Sequence, residues 1–177
     1  MAVESELALV EAAIEGNTGS FIELCQRYYP AMVAIAHSVL SDRHLAEDAA
    51  QEAFAKACLK LPELKKKDRF AWWIGAICRN IARDMARARK KMDRIKDYSM
   101  ITANSQQEDE LIEPVTEAIR GLSDCEREVI FLRYYEDLTY ECISIVLGIS
   151  KSAIDGRLRR AKKKIAGYLW RNGFMKV

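Results

Sequence analysis

Residues 138–165, LTYECISIVLGISKSAIDGRLRRAKKKI, spell two helices joined by a tight turn. Thr139 is placed to cap the first helix, since its hydroxyl accepts from an orphan N–H of the first turn. Ile143, Val146 and Leu147 follow at helical spacing. Gly148 takes the left-handed conformation that ends a helix without steric cost. Ile149 anchors the turn, and Ser150 caps the second helix. Along that second helix Ile154, Leu158, Ala161 and Ile165 share one face. Arg157, Arg159, Arg160, Lys162, Lys163 and Lys164 crowd the remainder against one acid, Asp155. Two helices, a glycine turn and a strongly basic second helix fit a helix-turn-helix whose second helix enters the DNA major groove. The plainer reading of the same residues is a helical hairpin with a solvated basic face.

Working outward, the 177-residue chain is long enough for one domain or two small ones. Half of it is apolar, enough for a core. The net charge is only +2, so the whole molecule is no general glue for nucleic acid. The cations are instead gathered into two blocks, Arg83–Lys96 and Lys151–Lys164, with an acidic stretch between them. No apolar run is long enough to span a bilayer, and no signal peptide follows Met1, which points to the cytoplasm and to no membrane insertion. Cys25, Cys58, Cys78, Cys125 and Cys142 form no CxxC pair and are odd in number. They are expected to be buried or half-buried thiols rather than a zinc site or a disulfide framework.

Glycine and proline are scarce and strand-like alternation is nearly absent, so the chain reads as all-α. Ser5–Glu15 forms a first helix with Leu7, Val10 and Ile14 inward, ending at the turn Gly16–Gly19. Ser20 and Glu23 suggest a capping box for a second helix, which bears Phe21, Leu24, Cys25 and Tyr28 on one face and kinks or restarts at Pro30. Ser41–Asp42 opens a third helix, RHLAEDAAQEAFAKACLKL, with a small-residue inner face. Its outer face carries Asp48, Gln51, Glu52 and Lys56, either solvated or a docking surface for a basic partner. Pro62 ends it, and a loop with Lys65, Lys66 and Lys67 leads into a fourth helix near Phe70. That helix has an apolar stripe (Phe70, Trp73, Ile74, Ile77, Ile81, Met85) and a basic one (Arg79, Arg83, Arg87, Lys90 or Lys91, Arg94). Trp72 points away from Trp73, and an exposed aromatic beside cations suits stacking on unpaired bases, worth ~1–3 kcal/mol per base. Trp73 is expected in the core. Residues 98–114, YSMITANSQQEDELIEP, lose all period and read as a flexible acidic linker. Thr116–Gly121 is a short helix, and Ser123 with Glu126 makes a capping box before CEREVIFLRYY, whose Val129, Ile130 and Leu132 face inward.

Three blocks in this order resemble bacterial RNA polymerase sigma factors of the extracytoplasmic-function (ECF) group. LAEDAAQEAFAKA resembles the segment that docks on the clamp of core RNA polymerase. FAWWIGAICRNIARDMARARKK resembles the segment that melts and reads the minus-ten element. LSDCEREVIFLRYYEDLTYECISIVLGISKSAIDGRLRRAKKKI resembles the domain that reads the minus-thirty-five element. The resemblance implies an N-terminal region 2-like domain at 1–97, a linker at 98–114 and a C-terminal region 4-like domain at 115–177. It puts Asp48, Gln51 and Glu52 on the polymerase-docking face. It assigns Lys65, Lys66, Lys67, Trp72, Trp73, Arg79, Asn80, Arg83 and Arg87 to the single-stranded, melting minus-ten surface. It sets Ser150, Lys151, Ser152, Asp155, Gly156, Arg157, Arg159 and Arg160 on the minus-thirty-five duplex. The implied partners are core RNA polymerase, promoter DNA and an anti-sigma factor.

The second helix departs from the family at two places. Asp155 stands where a basic residue is common; it repels phosphate but accepts from the amino group of cytosine. Gly156 stands where a small hydroxyl residue is common, costs the helix ~1 kcal/mol relative to Ala, and permits close approach to DNA. A stand-alone helix-turn-helix regulator and a sigma-like decoy are the competing readings. No cofactor, metal site or catalytic residue is expected: His37 and His44 are isolated, and no nucleophile motif or phosphate loop stands out.

Overall fold

Helix α2 (Thr18–Leu40) is the centre of the molecule, and its six consecutive buried residues Ala31–Ala36 demand cover on every side. The computed structural model describes residues 5–96 and 112–174, and the described residues are helical with short turns, in two small helical domains. Around α2 the N-terminal domain packs α1 (Glu6–Ile14), α3 (Arg43–Lys60) and α4 (Phe70–Lys96). Two 3-10 turns, Leu61–Glu63 and Lys67–Arg69, join α3 to α4. The C-terminal domain holds α5 (Ile112–Arg120), α6 (Asp124–Ile130), α7 (Tyr140–Leu147) and α8 (Lys151–Arg171).

Local chemistry sets most boundaries. Asp42 caps α3 through Leu45 N at 3.1 Å, Thr139 caps α7 through Cys142 N at 3.2 Å, and Ser150 caps α8 through Ala153 N at 3.2 Å. The start of α2 differs from expectation. Asn17, not Ser20, is the cap, accepting from Ser20 N at 3.1 Å; Ser20 is buried inside the first turn, and Glu23 pairs with Arg27 at 2.8 Å. Pro30 lacks the N–H that would reach Gln26, yet α2 continues as one helix. In α1 the buried pair is Leu9 and Val10, whereas Leu7 is exposed. Helix α5 begins at Ile112, inside the span read as linker, and residues 98–111 of that span lie outside the described residues.

The alanines of α3 explain how closely three helices gather. Ala46, Ala49, Ala50, Ala53 and Ala57 are buried, so α3 presents almost no side-chain thickness to α2 and α4. Gly75 on α4 does the same between domains: a Cβ there would stand 3.4 Å from the Val146 carbonyl of α7 and 3.5 Å from Ile35 of α2. One apolar core therefore runs through both halves, from Leu9 to Ala161.

After α6 the chain makes a single π turn, Phe131–Tyr135. It brings Phe131 and Tyr135 against His37 of α2, edge-on, with ring centroids 4.8 and 4.7 Å away. Burial first, then the Arg43 charge, pushes His37 below its ordinary pKa, so neutral imidazole is favoured; Asp42 opposes this. Its Nδ1 is buried without a partner among the described residues.

The thiols depart from expectation. Cys78 is buried, its Sγ 3.3 Å from the Met32 carbonyl and its pKa pushed up to about 12 by desolvation; Cys25 is half-buried. Cys58, Cys125 and Cys142 are exposed, because they fall on outer helix faces.

The C-terminal domain is tied by Glu126. Its buried carboxylate accepts from Lys164 Nζ at 2.7 Å, Ser123 Oγ at 2.7 Å and Ser123 N at 3.1 Å, completing the capping box. Lys164 first, then the Ser123 bonds, hold its pKa at about 2. A carboxylate depressed in the folded state stabilises fully above its unfolded value of 4.5, and that stability is lost as pH falls through about 2. Glu126→Gln is expected to cost about 1–2 kcal/mol in urea melts at neutral pH. The gap between variant and wild type closes as the melts are repeated from pH 4.5 down toward 2.

Candidate nucleic-acid interface

The helix-turn-helix is built as its sequence implies. Gly148 ends α7 with φ +65°, and Ser144 Oγ closes the turn on the Ile149 carbonyl at 2.6 Å. Ile143, Val146, Ile154, Leu158 and Ala161 are buried beneath it, fixing how α8 is presented. Lys151, Ser152, Asp155, Arg159 and Arg160 are exposed on α8, while Gly156 and Arg157 are half-buried. The Ser150 hydroxyl, 3.0 Å from Ser152 Oγ, remains at the helix N-terminus, where N–H groups suit a phosphate.

The cations of α8 divide by task. Lys164 serves Glu126, Lys162 lies 4.9 Å over the Tyr134 ring, and Lys151 pairs with Glu141 of α7, holding that carboxyl below the usual range. Among the described residues no ion pair engages Arg157, Arg159 or Arg160. Arg160 folds back so that one guanidinium nitrogen lies 3.5 Å from where a Gly156 Cβ would stand. The glycine thus keeps this face of α8 thin and leaves an arginine across it.

In the N-terminal domain the loop before α4 and the start of α4 border an apolar-floored hollow of about 400 Å³, lined by Glu63, Leu64, Lys65, Lys66, Arg69, Trp72 and Trp73, three cations against one acid. Trp73 leans on Phe70, ring centroids 6.0 Å apart, and is only half-buried, so it forms a wall as well as core. Aromatic walls with cations at the rim suit an unstacked base and its phosphates. Lys67 is turned away and pairs with Glu11 at 3.4 Å. Asn80 is exposed, and Arg87 pairs along the helix with Asp84 at 3.4 Å.

The remaining residues assigned to this surface are engaged by the other domain. Trp72, 43% exposed, lays its indole edge on the turn of the helix-turn-helix, with Cδ1 2.8 Å from where a Gly148 Cβ would stand. Arg79 meets Glu128 of α6 at 2.5 Å, and Arg83 faces Asp124 at 3.9 Å. Neither acid, nor His37, Phe131 or Tyr135, was singled out by reading the sequence. The one available signal was the equal spacing of two arginines on α4 and two acids on α6.

On α3, Asp48, Gln51 and Glu52 are exposed on one face with Ala55, Cys58 and Leu59. Glu52 pairs with Lys56 at 2.6 Å within the helix. Leu59, 81% exposed, gives this face an apolar end that periodicity had not marked.

Family models match both domains: sigma-70 region 2 over residues 24–92 and sigma-70 region 4 over residues 112–165. The ECF RNA polymerase sigma factor SigW of Bacillus subtilis is 27% identical over 168 residues, covering 85% of this chain and 89% of that protein. The probable RNA polymerase sigma factor RfaY of Xanthomonas campestris is 28% identical over 175 residues; the match covers 93% of this chain but 43% of that longer protein. The fold is similar to CnrH, solved in complex with the cytosolic domain of CnrY, with a TM-score of 0.59, 24% identity and coverage of 94% of this chain and 97% of that one. It is also similar to the sigma factor RpoE of Bartonella quintana, solved with the anti-sigma factor NepR, with a TM-score of 0.56, 24% identity and coverage of 84% and 96%. With region 2 and region 4 matched in order across its two helical domains, the chain belongs to the sigma-70 family of bacterial RNA polymerase sigma factors, in the ECF group.

Proposed function

We propose that this chain is the promoter-reading subunit of a bacterial RNA polymerase holoenzyme and carries no reaction of its own. The exposed α3 face around Asp48, Gln51 and Glu52 docks on core polymerase. Helix α8 enters the major groove of the minus-thirty-five duplex, with Arg157, Arg159 and Arg160 on phosphates or guanines and Asp155 disposed toward a cytosine amino group. The hollow between Lys65, Lys66, Arg69, Trp72 and Trp73 receives flipped minus-ten bases, with Asn80 close by on α4. Captured bases offset the few kcal/mol of unstacking that strand opening costs. Such a factor works in the cytoplasm and is held in check by an anti-sigma partner; the complexes solved for similar folds support that part of the reading.

The observation that carries the proposal is the joint presence, on one chain, of an arginine face on α8 with no ion pair among the described residues and an aromatic hollow beside α4 with Lys65, Lys66 and Arg69 at its rim. Duplex binding alone needs only the first. The test is gel filtration with bacterial core RNA polymerase, followed by run-off transcription from a genomic promoter library. A one-to-one complex and new transcripts are expected; duplex binding without polymerase binding would make the chain a stand-alone regulator.

Two variants separate the faces. Asp48→Lys with Glu52→Lys reverses two exposed charges, so it should abolish the polymerase complex while the far-ultraviolet circular dichroism is unchanged. Arg157→Ala with Arg160→Ala should keep the polymerase complex but weaken promoter binding, with the log–log salt slope shallower by about 1 for each phosphate contact removed.

A further inference from the structure

Two arginines one helical turn apart on α4 face two carboxylates one turn apart on α6. Arg79 Nε lies 2.5 Å from Glu128 Oε1, and Arg83 Nη2 lies 3.9 Å from Asp124 Oδ2. The register is antiparallel: the later arginine meets the earlier acid. Each pair steps along its helix by four residues, about 6 Å. The inner pair is well covered, its side chains 18% and 11% exposed. A carboxylate offers a guanidinium the same acceptor chemistry as a phosphate: two oxygens sharing a negative charge, matched to the planar fork.

The same contact covers more of the strand surface. Trp72 rests its indole edge against Gly148, and Gly75 of α4 meets the Val146 carbonyl. The polymerase-side face of α3 is untouched: Asp48, Gln51 and Glu52 are exposed. The C-terminal domain therefore occupies Trp72, Arg79 and Arg83 of the groups assigned to the open strand and leaves the exposed α3 face free.

We propose that Asp124 and Glu128 are a built-in phosphate mimic, an acidic stripe on α6 that occupies Arg79 and Arg83 until a promoter strand displaces it. The inference rests on the reading of the α4 arginines as single-strand contacts. It makes the free chain its own competitor for DNA. In the closed chain Arg79 is paired at 2.5 Å and Arg83 is faced at 3.9 Å by Asp124, whose other oxygen accepts from Arg127 at 2.8 Å, so a strand that replaces the carboxylates gains less counterion release from the two arginines.

That consequence is measurable. Binding of a fluorescent single-stranded oligothymidylate to the full chain is followed by anisotropy across a salt series, for wild type, Asp124→Asn and Asp124→Asn/Glu128→Gln. Single strands release counterions with a slope of about 0.7 per neutralised phosphate, so freeing both arginines should steepen the slope by about 1.4 and tighten binding at low salt. Asp124→Asn alone should give the smaller share of that steepening, because its contact with Arg83 is exposed and 3.9 Å long. Its side chain is 68% exposed, so the single variant stays informative if the double variant does not fold. X-ray scattering of the same samples reports whether the domains separate. Expansion together with steeper, tighter binding supports the mimic. Expansion without tighter binding overturns it by showing that the α4 arginines are not the strand surface. No expansion and no change in binding, with helicity intact, overturns the latch while leaving the strand reading standing.

Discussion

A helix that is apolar on every side must be covered on every side, and Ala31–Ala36 of α2 imposes that condition on the whole chain. Alanine supplies half of this run, so the covering helices come close enough for one shared core. Helix α3 meets the requirement with five buried alanines and α4 with Ala71, Gly75, Cys78 and Ala82. The last side is covered by α6 and the π turn of the C-terminal domain. Two domains that each have a recognisable job are thereby joined by the same burial that folds the first.

What lies at the rim of that join is polar, and this decides its character. The Arg79–Glu128 pair is mostly withdrawn from water, and desolvation costs several kcal/mol per ion unless the partner and further bonds repay it. Such a pair adds little net stability, but losing one member leaves a charge stranded. It therefore selects one register of α4 against α6 more than it strengthens the contact. His37 acts similarly: neutral, with Nδ1 unpartnered, it fits between Phe131 and Tyr135 without a formal charge in the seam.

Features whose physics is local were legible in the sequence. The caps Asp42, Thr139 and Ser150, the Ser123–Glu126 box and the left-handed Gly148 each depend on neighbours within four residues, and each stands where its spacing put it. Where two local signals competed, the reading slipped. Asn17 and Ser20 both offer a cap, and the earlier one gains another turn of helix for the buried face of α2. In α1 apolar residues stand at Leu7, Ala8, Leu9 and Val10, too crowded for period alone to choose a face. Cys58 was misjudged although its spacing puts it on the outer face with Asp48 and Gln51. The π turn has no single-residue signal. The facing pairs Arg79/Arg83 and Asp124/Glu128 look like two solvated faces until the fold sets them opposite each other. The basic run of α8 and an exposed Trp72 beside cations are legible in the sequence; the hollow that Trp73 helps to wall and the contact between the two domains are not.

On the proposed function, in which the two domains would separate on DNA, the polar rim has a thermodynamic consequence. Were the whole seam apolar, opening would expose greasy surface at about 25 cal/mol per Å² with nothing in the promoter to replace it. Charges and an indole edge can be exchanged instead. On the proposed function a phosphate would take the place of a carboxylate on Arg79, and a base the place of the helix-turn glycine on Trp72. The apolar inner part, around Gly75 and Val146 and where α6 and the π turn cover α2, has no substitute in nucleic acid, so its exposure would be a cost that another partner must offset. Asp48, Gln51 and Glu52 of α3 stay exposed in the closed arrangement. On the proposed function this gives an order of events: polymerase would engage the exposed α3 face first and contribute binding energy, and the strand would then compete for arginines that the closed chain keeps occupied.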